Sequence, residues 1–328
     1  MKKKSVSILI IIIILIFAYE ILTNASAIIK SVTFSFTIWK NNIFPSLFPF
    51  FILSELLINY GFVELLAELL KPIMVKLFKV NPNCAFIFVM SIISGCPSNA
   101  KYTLELLKNN MISEHDANKI LMFSHFSNPL FILGTVGILF LNNKEVGLFI
   151  LLCHYSVNIL IGLIFRNRYQ TKNTDFNISI KKAINNMHNK RINNNKSFGG
   201  ILTNSIINTI NTLLLILGTI TVFLVITTVI DKNINFNTFH QALLNGFIEM
   251  TQGLKYVSLL PIPLKLKCSI ATIILSFGGL SIHMQVISIL SEYNIKYTQF
   301  LIARIIHATI SGILAYFLFD PWLSLISI

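Results

Sequence analysis

The sequence predicts an all-α polytopic membrane protein of two inverted repeats, each with a re-entrant helical hairpin and a broken transmembrane helix. Three observations lead there. Of the 328 residues, 54% are hydrophobic and only 12% charged, about half the charged fraction of a soluble domain. Several apolar runs reach the roughly 20 residues a membrane-crossing helix needs. They are continuous rather than alternating, which argues against a β-barrel. Finally, the order of elements in the first half recurs in the second.

The chain opens with Lys2, Lys3 and Lys4, an apolar run from Val6 to Phe17, and Ala25-Ser26-Ala27. That pattern fits a cleaved secretory signal, but a later counterpart favours a retained span over 5–23. Residues 25–40 mix polar and apolar positions and are expected to lie at the interface. Residues 43–60 cross inward. Residues 62–79, interrupted by Glu64, Glu68, Lys71 and Lys76, suit a surface-lying helix. Residues 83–109 form two apolar arms around Gly95-Cys96-Pro97-Ser98-Asn99, each arm short for a full crossing. Spans over 117–141 and 146–165 follow.

Charge decides how 83–109 is threaded. The loop 166–197 carries eight basic residues: Arg166, Arg168, Lys172, Lys181, Lys182, Lys190, Arg191 and Lys196. Basic loops face the cytoplasm. A re-entrant hairpin at 83–109 puts this loop inside with the N-terminus, and a single crossing would put it outside. The net charge of +13 is thus read as topology and lipid-headgroup contact, not nucleic-acid binding.

The second half continues with an amphipathic entry at 198–210, a span at 212–230, an interfacial stretch at 238–256, a second hairpin at 264–292 and a last span at 297–319. An ungapped offset of 183 (278 minus 95) places Gly95 on Gly278 and Ser98 on Ser281. The first repeat is therefore drawn over 1–141 and the second over 142–328. Inverted repeats with discontinuous helices bind solute near the bilayer midplane.

Candidate solute-binding residues cluster at the breaks. Gly95 gives backbone freedom and Pro97 suits the first turn of the following arm. The free N–H groups of that helix start carry partial positive charge; Ser98 and Asn99 add donors, and Lys101 lies one turn in. A plain proline kink is the bland alternative. In the second half Gly278, Gly279 and Ser281 offer a matching break, or close packing of small residues. Pro129 interrupts the helix after His125, Ser127 and Asn128, freeing carbonyls near His125 for a solute or ion; hydrogen bonds between helices are the alternative. Arg304 and His307 lie in the last span, where an arginine is costly unless it faces protein or water; it is expected to face the central cavity. Glu55 is either a structural ion-pair partner of Lys101 or Arg304, or the carrier of a coupling proton. Cationic and neutral donors outnumber acids, which points to a small anionic solute.

The stretches Phe44-Pro45-Ser46-Leu47-Phe48-Pro49, Ser94-Gly95-Cys96-Pro97-Ser98-Asn99-Ala100-Lys101 and Phe123 to Phe131, with Gly134 and Gly137, resemble the nucleoside-recognition gate region. More closely, they resemble the sporulation integral membrane protein family YlbJ, also SpoVV. The gate-like region spans 43–141. The resemblance implies kinship with concentrative nucleoside transporters. It also implies a role in moving dipicolinic acid, a compact aromatic dianion, across the outer forespore membrane. Gly95, Pro97, Ser98, Asn99, Lys101, Ser127, Asn128 and Pro129 match the family's pattern by position. Two rivals stay open: a transporter of nucleosides or another metabolite, and a non-transporting scaffold for spore-envelope assembly. An enzyme is not expected, since HExxH, GxSxG and paired-carboxylate motifs are missing. Nor is a metal or cofactor: Cys84, Cys96, Cys153 and Cys268 are far apart and read as packed thiols.

Overall fold

The computed structural model describes residues 2–167, 179–194 and 197–326; Arg168, Lys172 and Lys196 of the basic loop lie outside them. Among the described residues there are helices and connecting turns, without strands. Six helices there are long and apolar enough to cross a membrane: Val6–Thr23, Ala25–Asn59, Lys144–Ile164, Phe198–Asn233, Leu264–Ile289 and Tyr297–Leu325. The chain is a polytopic integral membrane protein.

Helix α1 (Lys2–Thr23) exposes nearly every apolar side chain from Val6 to Ile16, as a lipid-facing helix should. Helices α2 (Ala25–Ile38) and α3 (Phe44–Asn59) are joined by a π-helical turn, Trp39–Ile43, into one continuous rod. The interfacial helix expected over 25–40 is therefore the first half of a 35-residue helix. Two of its polar side chains meet protein instead of headgroups. Ser35 is fully buried, its hydroxyl 2.7 Å from that of Thr221, and Trp39 donates Nε1–H to the Leu213 carbonyl at 2.9 Å. Pro45 falls in the first turn of α3, where a missing N–H costs little. The partner rod, α10 (Phe198–Asn233), is likewise unbroken, so the separate entry helix expected at 198–210 is its first turns.

Helix α4 (Phe62–Leu69) packs against α9 (Ile180–Asn193). Gly61 makes this possible: at φ +82 it brings the turn so near α9 that a Cβ would lie 2.5 Å from the Met187 carbonyl oxygen. Glu64 and Lys190 approach to 3.9 Å, and Asn194 donates to the Asn59 carbonyl.

The hairpin expected at 83–109 is present. Arms α5 (Cys84–Ser94) and α6 (Ser98–Lys108) have 11 residues each, about 16 Å of helix. Asn83 Nδ2 donates to the Met111 carbonyl at 2.8 Å, so the chain leaves where it entered. Tyr102 donates its hydroxyl proton to Ser94 Oγ at 2.9 Å near the tip. The broken helix is also present. Helix α7 (Glu114–Phe123), started by a Ser113/Asp116 capping box, unwinds at Ser124–Asn128 and resumes at Pro129, running on as a π-helix over Phe131–Phe140. Helix α8 (Lys144–Ile164) then returns.

The second half differs from expectation. The stretch at 238–256 is a tight hairpin of α11 (Thr238–Ile248) and α12 (Met250–Leu259), turning at Glu249. Gly246 and Gly253 face each other where the arms cross, and a side chain on Gly253 would collide with the Gly246 backbone. Conversely, 264–292 is not a hairpin. Helices α13 (Leu264–Phe277) and α14 (Gly279–Ile289) are one interrupted crossing, in which α13 runs along α15 (Tyr297–Ile326) and α14 continues among α10, α11 and α6. Partners along α15 run in order: His283 meets Tyr297 at 3.2 Å, Ser276 meets Ser311 at 2.8 Å, Ser269 donates to the Gly312 carbonyl, and Lys265 pairs with Asp320. The expectation failed because two glycines permit either a reversal or an offset, and packing of α13 on α15 with α14 on α10 and α11 selects the offset.

The two hairpins enter from opposite ends of the bundle. The mouth of α5–α6 lies beside Asp116, which accepts from Asn81 N–H, and this end also holds Lys119 on the Arg166 carbonyl. The mouth of α11–α12 lies at the Lys265–Asp320 end, where Lys267 donates to the Ser258 carbonyl.

Candidate functional site

Both hairpin tips and both breaks meet at a cavity of about 490 Å³. Its walls include Cys96 and Pro97 of the first tip, Ser127 and Asn128 of the first break, Glu249, Met250 and Thr251 of the second tip, and Ser281, Ile282 and Gln285 beyond the second break. The rods α2–α3 and α10 close the side through residues such as Asn41, Asn42, Ile216 and Ile220.

Two glycines let the tips approach the breaks. Gly95, at φ 80 and ψ −173, occupies a region open essentially to glycine alone; a Cβ there would run into the backbone of Asn128. In the second half the roles reverse: Gly279 of the break, at φ +69, sits so close to the tip that a Cβ would lie 2.9 Å from Met250 N.

Four helices begin at this cavity: α6, the helix resuming at Pro129, α12 and α14. Asn128 accepts from the N–H groups of Leu130 and Phe131, and Glu249 accepts from Gln252 N–H at 2.8 Å, so two starts are capped. The starts of α6 and α14 carry no side-chain cap. In α6 the Ser98 N–H is taken by the Gly95 carbonyl and the Ala100 N–H by that of Pro97, so it is the dipoles of the two helix starts that give the cavity partial positive charge without a cation. Ser281 Oγ and Gln285 Nε2, both buried, line the cavity with no hydrogen-bond partner.

The predicted cations are elsewhere. Lys101 is buried behind the first tip, 2.8 Å from Glu55 Oε1, 3.2 Å from Thr209 Oγ1 and over the Phe51 ring. Of the two roles considered for Glu55, the ion pair with Lys101 is the one observed. Arg304, fully buried, also stays outside the cavity lining. It donates to the carbonyls of Met122 and His125 and to Asn158 Oδ1, and lies 2.8 Å from His307 Nδ1. The carbonyls freed by the break are thus taken by Arg304, whose charge complements the C-terminal end of α7. His307 continues the network to the His154 carbonyl at 2.8 Å. His154 in turn accepts from Ser127 N–H at 2.9 Å, fixing the break from its other side.

Other predicted residues divide the same way. Pro97, Ser127, Asn128 and Ser281 line the cavity; Asn128 also donates to the Ser94 carbonyl, tying break to tip. Ser98, Asn99 and His125 are buried close by, outside the lining, and Ser98 Oγ, both Asn99 amide atoms and both His125 ring nitrogens lack hydrogen-bond partners. Gly278, at φ +92, packs against His125. Among the cysteines, Cys84, Cys153 and Cys268 are buried thiols as expected, but Cys96 is half-buried and lines the cavity.

Sequence reasoning passed over Glu249 and Gln285. Glu249 had a signal: a lone acid between Gly246 and Gly253 in an otherwise apolar stretch. Gln285, one turn after Ser281 on α14, shares its face.

Residues 42–144 match the family described as Gate, nucleoside recognition. Over 339 aligned residues, covering 96% of this chain and 83% of the relative, the sequence is 32% identical to the sporulation integral membrane protein YlbJ of Bacillus subtilis (strain 168). No solved structure matches.

Proposed function

The chain belongs to the family of the sporulation integral membrane protein YlbJ, and on that premise we propose that it carries a small organic anion of the dipicolinate class across a membrane. The outer forespore membrane is the proposed location, with the N-terminus and the 166–197 loop facing the cytoplasm. The supporting observation is the convergence of helix starts on one cavity, two of them uncapped and flanked by the unpartnered Ser281 and Gln285. Helix N-termini bind carboxylates through oriented N–H groups, so Lys101 and Arg304 are not required as ligands. They hold the scaffold that aims those groups.

Alternating access follows from the repeat. Its best register pairs hairpin with hairpin (α5–α6 with α11–α12), broken helix with broken helix (α7 onward with α13–α14), and α8 with α15. Rods α2–α3 and α10 also pair, leaving α1 outside. His154 and His307, 153 positions apart and stacked with ring centroids at 4.7 Å, then become equivalents. The same offset places Cys96 on Glu249, Asn128 on Ser281 and Asn158 on Ser311. This register replaces the offset of 183 and the boundary at 141. Opposite hairpin mouths fit an inverted pair, and rocking one repeat against the other exposes the cavity to each side in turn.

A second substrate class has its own support: the cavity lining holds one carboxylate, Glu249, and no lysine or arginine, which suits a neutral, hydrogen-bonding solute such as a nucleoside. Exchange of labelled dipicolinate in proteoliposomes, with uridine as competitor, separates the two. We expect dipicolinate exchange that uridine does not compete, reduced about ten-fold in Ser281→Ala/Gln285→Leu, as loss of hydrogen bonds to a charged group would give. Uridine exchange without dipicolinate exchange establishes the neutral class; exchange of neither removes the carrier reading.

A further inference from the structure

We infer that Glu249 is the group that takes up and releases a coupling proton, so that the anionic solute and a proton occupy the cavity together. This rests on the transport reading above and adds its energy source.

Glu249 differs from the other buried acids. Glu55 is paired with Lys101, Glu68 lies 3.9 Å from Lys71, Asp116 closes a capping box, and Glu20, away from the cavity, accepts from Asn24 Nδ2 at 2.7 Å. Glu249 is 2% exposed, lines the cavity and accepts from the N–H of Gln252; among the described residues no lysine, arginine or histidine forms an ion pair with it. Neighbouring ionisable groups are spoken for or face away. On α10, Asp231 is held by Asn245 Nδ2; on α12, exposed Lys255 lies over the Phe34 ring; on α13, Lys267 donates to the Ser258 carbonyl. On α14, His283 is engaged by the Phe277 carbonyl and Tyr297, and Lys40 on the α2–α3 rod is exposed. Cys96 is the one other ionisable side chain in the cavity wall.

A second negative charge entering this cavity repels an ionised Glu249. A proton on Glu249 removes that repulsion and turns the carboxyl from an acceptor into a donor toward the solute's carboxylate. Proton and anion therefore favour each other's binding, and the coupling is reciprocal. Release reverses it: loss of the proton to the far side restores the charge and expels the anion. Position reinforces this, because Glu249 is the turn of the second hairpin, between the α12 start it caps and the α14 break pressed on Met250.

The test uses full-length protein in proteoliposomes with a pH dye inside and the membrane potential clamped. Exchange of labelled dipicolinate at equal pH examines transport itself. The inference predicts that net dipicolinate entry acidifies the lumen, and that accumulation rises about ten-fold per pH unit of inward proton gradient, as one proton per solute requires. Glu249→Gln is expected to lose the response to the gradient and Glu249→Asp to retain it. Should Glu249→Gln fail to fold, labelling of the wild type by a hydrophobic carbodiimide substitutes: modification of Glu249, slowed by dipicolinate and matched by loss of uptake, supports the assignment. Exchange with no lumen acidification and no gradient response overturns the inference and leaves transport standing. A gradient response that persists in Glu249→Gln, or in carbodiimide-labelled protein, overturns the assignment to Glu249. Absence of exchange overturns both.

Discussion

The two hairpin tips share one architecture and opposite chemistry. The first, Gly95-Cys96-Pro97, presents no charge to the cavity, and the charges behind it, Lys101 and Glu55, cancel at 2.8 Å. The second presents a carboxylate with no cation beside it. Balanced charge in a membrane interior serves the scaffold. Unbalanced charge at a solute site needs a functional reason. On the proposed reading, the charges behind the first tip hold the scaffold and the carboxylate of the second tip does the switching.

Four substitutions and one labelling experiment break or sharpen that comparison. Lys101→Met strands Glu55 in a buried site and is expected to destabilise by about 3–5 kcal/mol, the cost of removing one partner of a buried pair. Adding Glu55→Gln should recover most of it, read as thermal unfolding of purified protein in detergent. If the double variant is as unstable as the single, the pair is more than scaffold. Gly95→Ala is expected to cost about 2–5 kcal/mol, because it combines a disfavoured backbone with a collision against Asn128. The equivalent close approach, probed by Gly279→Ala, should cost less, about 1–3 kcal/mol, since its nearest atom is 2.9 Å away and its φ lies nearer the left-handed helix. Equal costs would erase the asymmetry between the tips. The smallest effect is on Cys96: a membrane-permeant thiol reagent should modify it ahead of Cys84, Cys153 and Cys268, and bound solute should slow that reaction several-fold. No protection of Cys96 would remove the first tip from the solute path.

Much of the fold was legible because its determinants are local. Pro129 interrupts its own helix, and the arms of 83–109 are too short to cross, so hairpin and broken helix could be placed from sequence. The second half was not legible in the same way. Gly278-Gly279 permits a reversal or an offset with equal ease, and the hairpin at Glu249 hides in an apolar stretch whose arms are sealed by Gly246 against Gly253. Of the candidate site residues, Pro97, Ser127, Asn128 and Ser281 line the cavity, whereas Lys101 and Arg304, singled out by their charge, lie outside its lining. Burial identifies a cation that needs a partner but does not name the partner. Glu55 lies 46 positions before Lys101, and the Met122 carbonyl 182 positions before Arg304.

The sequence by itself determined the membrane class, the helical content, the first hairpin and the first break, because hydropathy, arm length and proline act over a few residues. Only the tertiary structure decided which segments form the second hairpin, where the buried charges go, and that Glu249 lines the cavity. Those outcomes depend on contacts between segments from 46 to 182 positions apart, where packing chooses among options that local chemistry leaves equal.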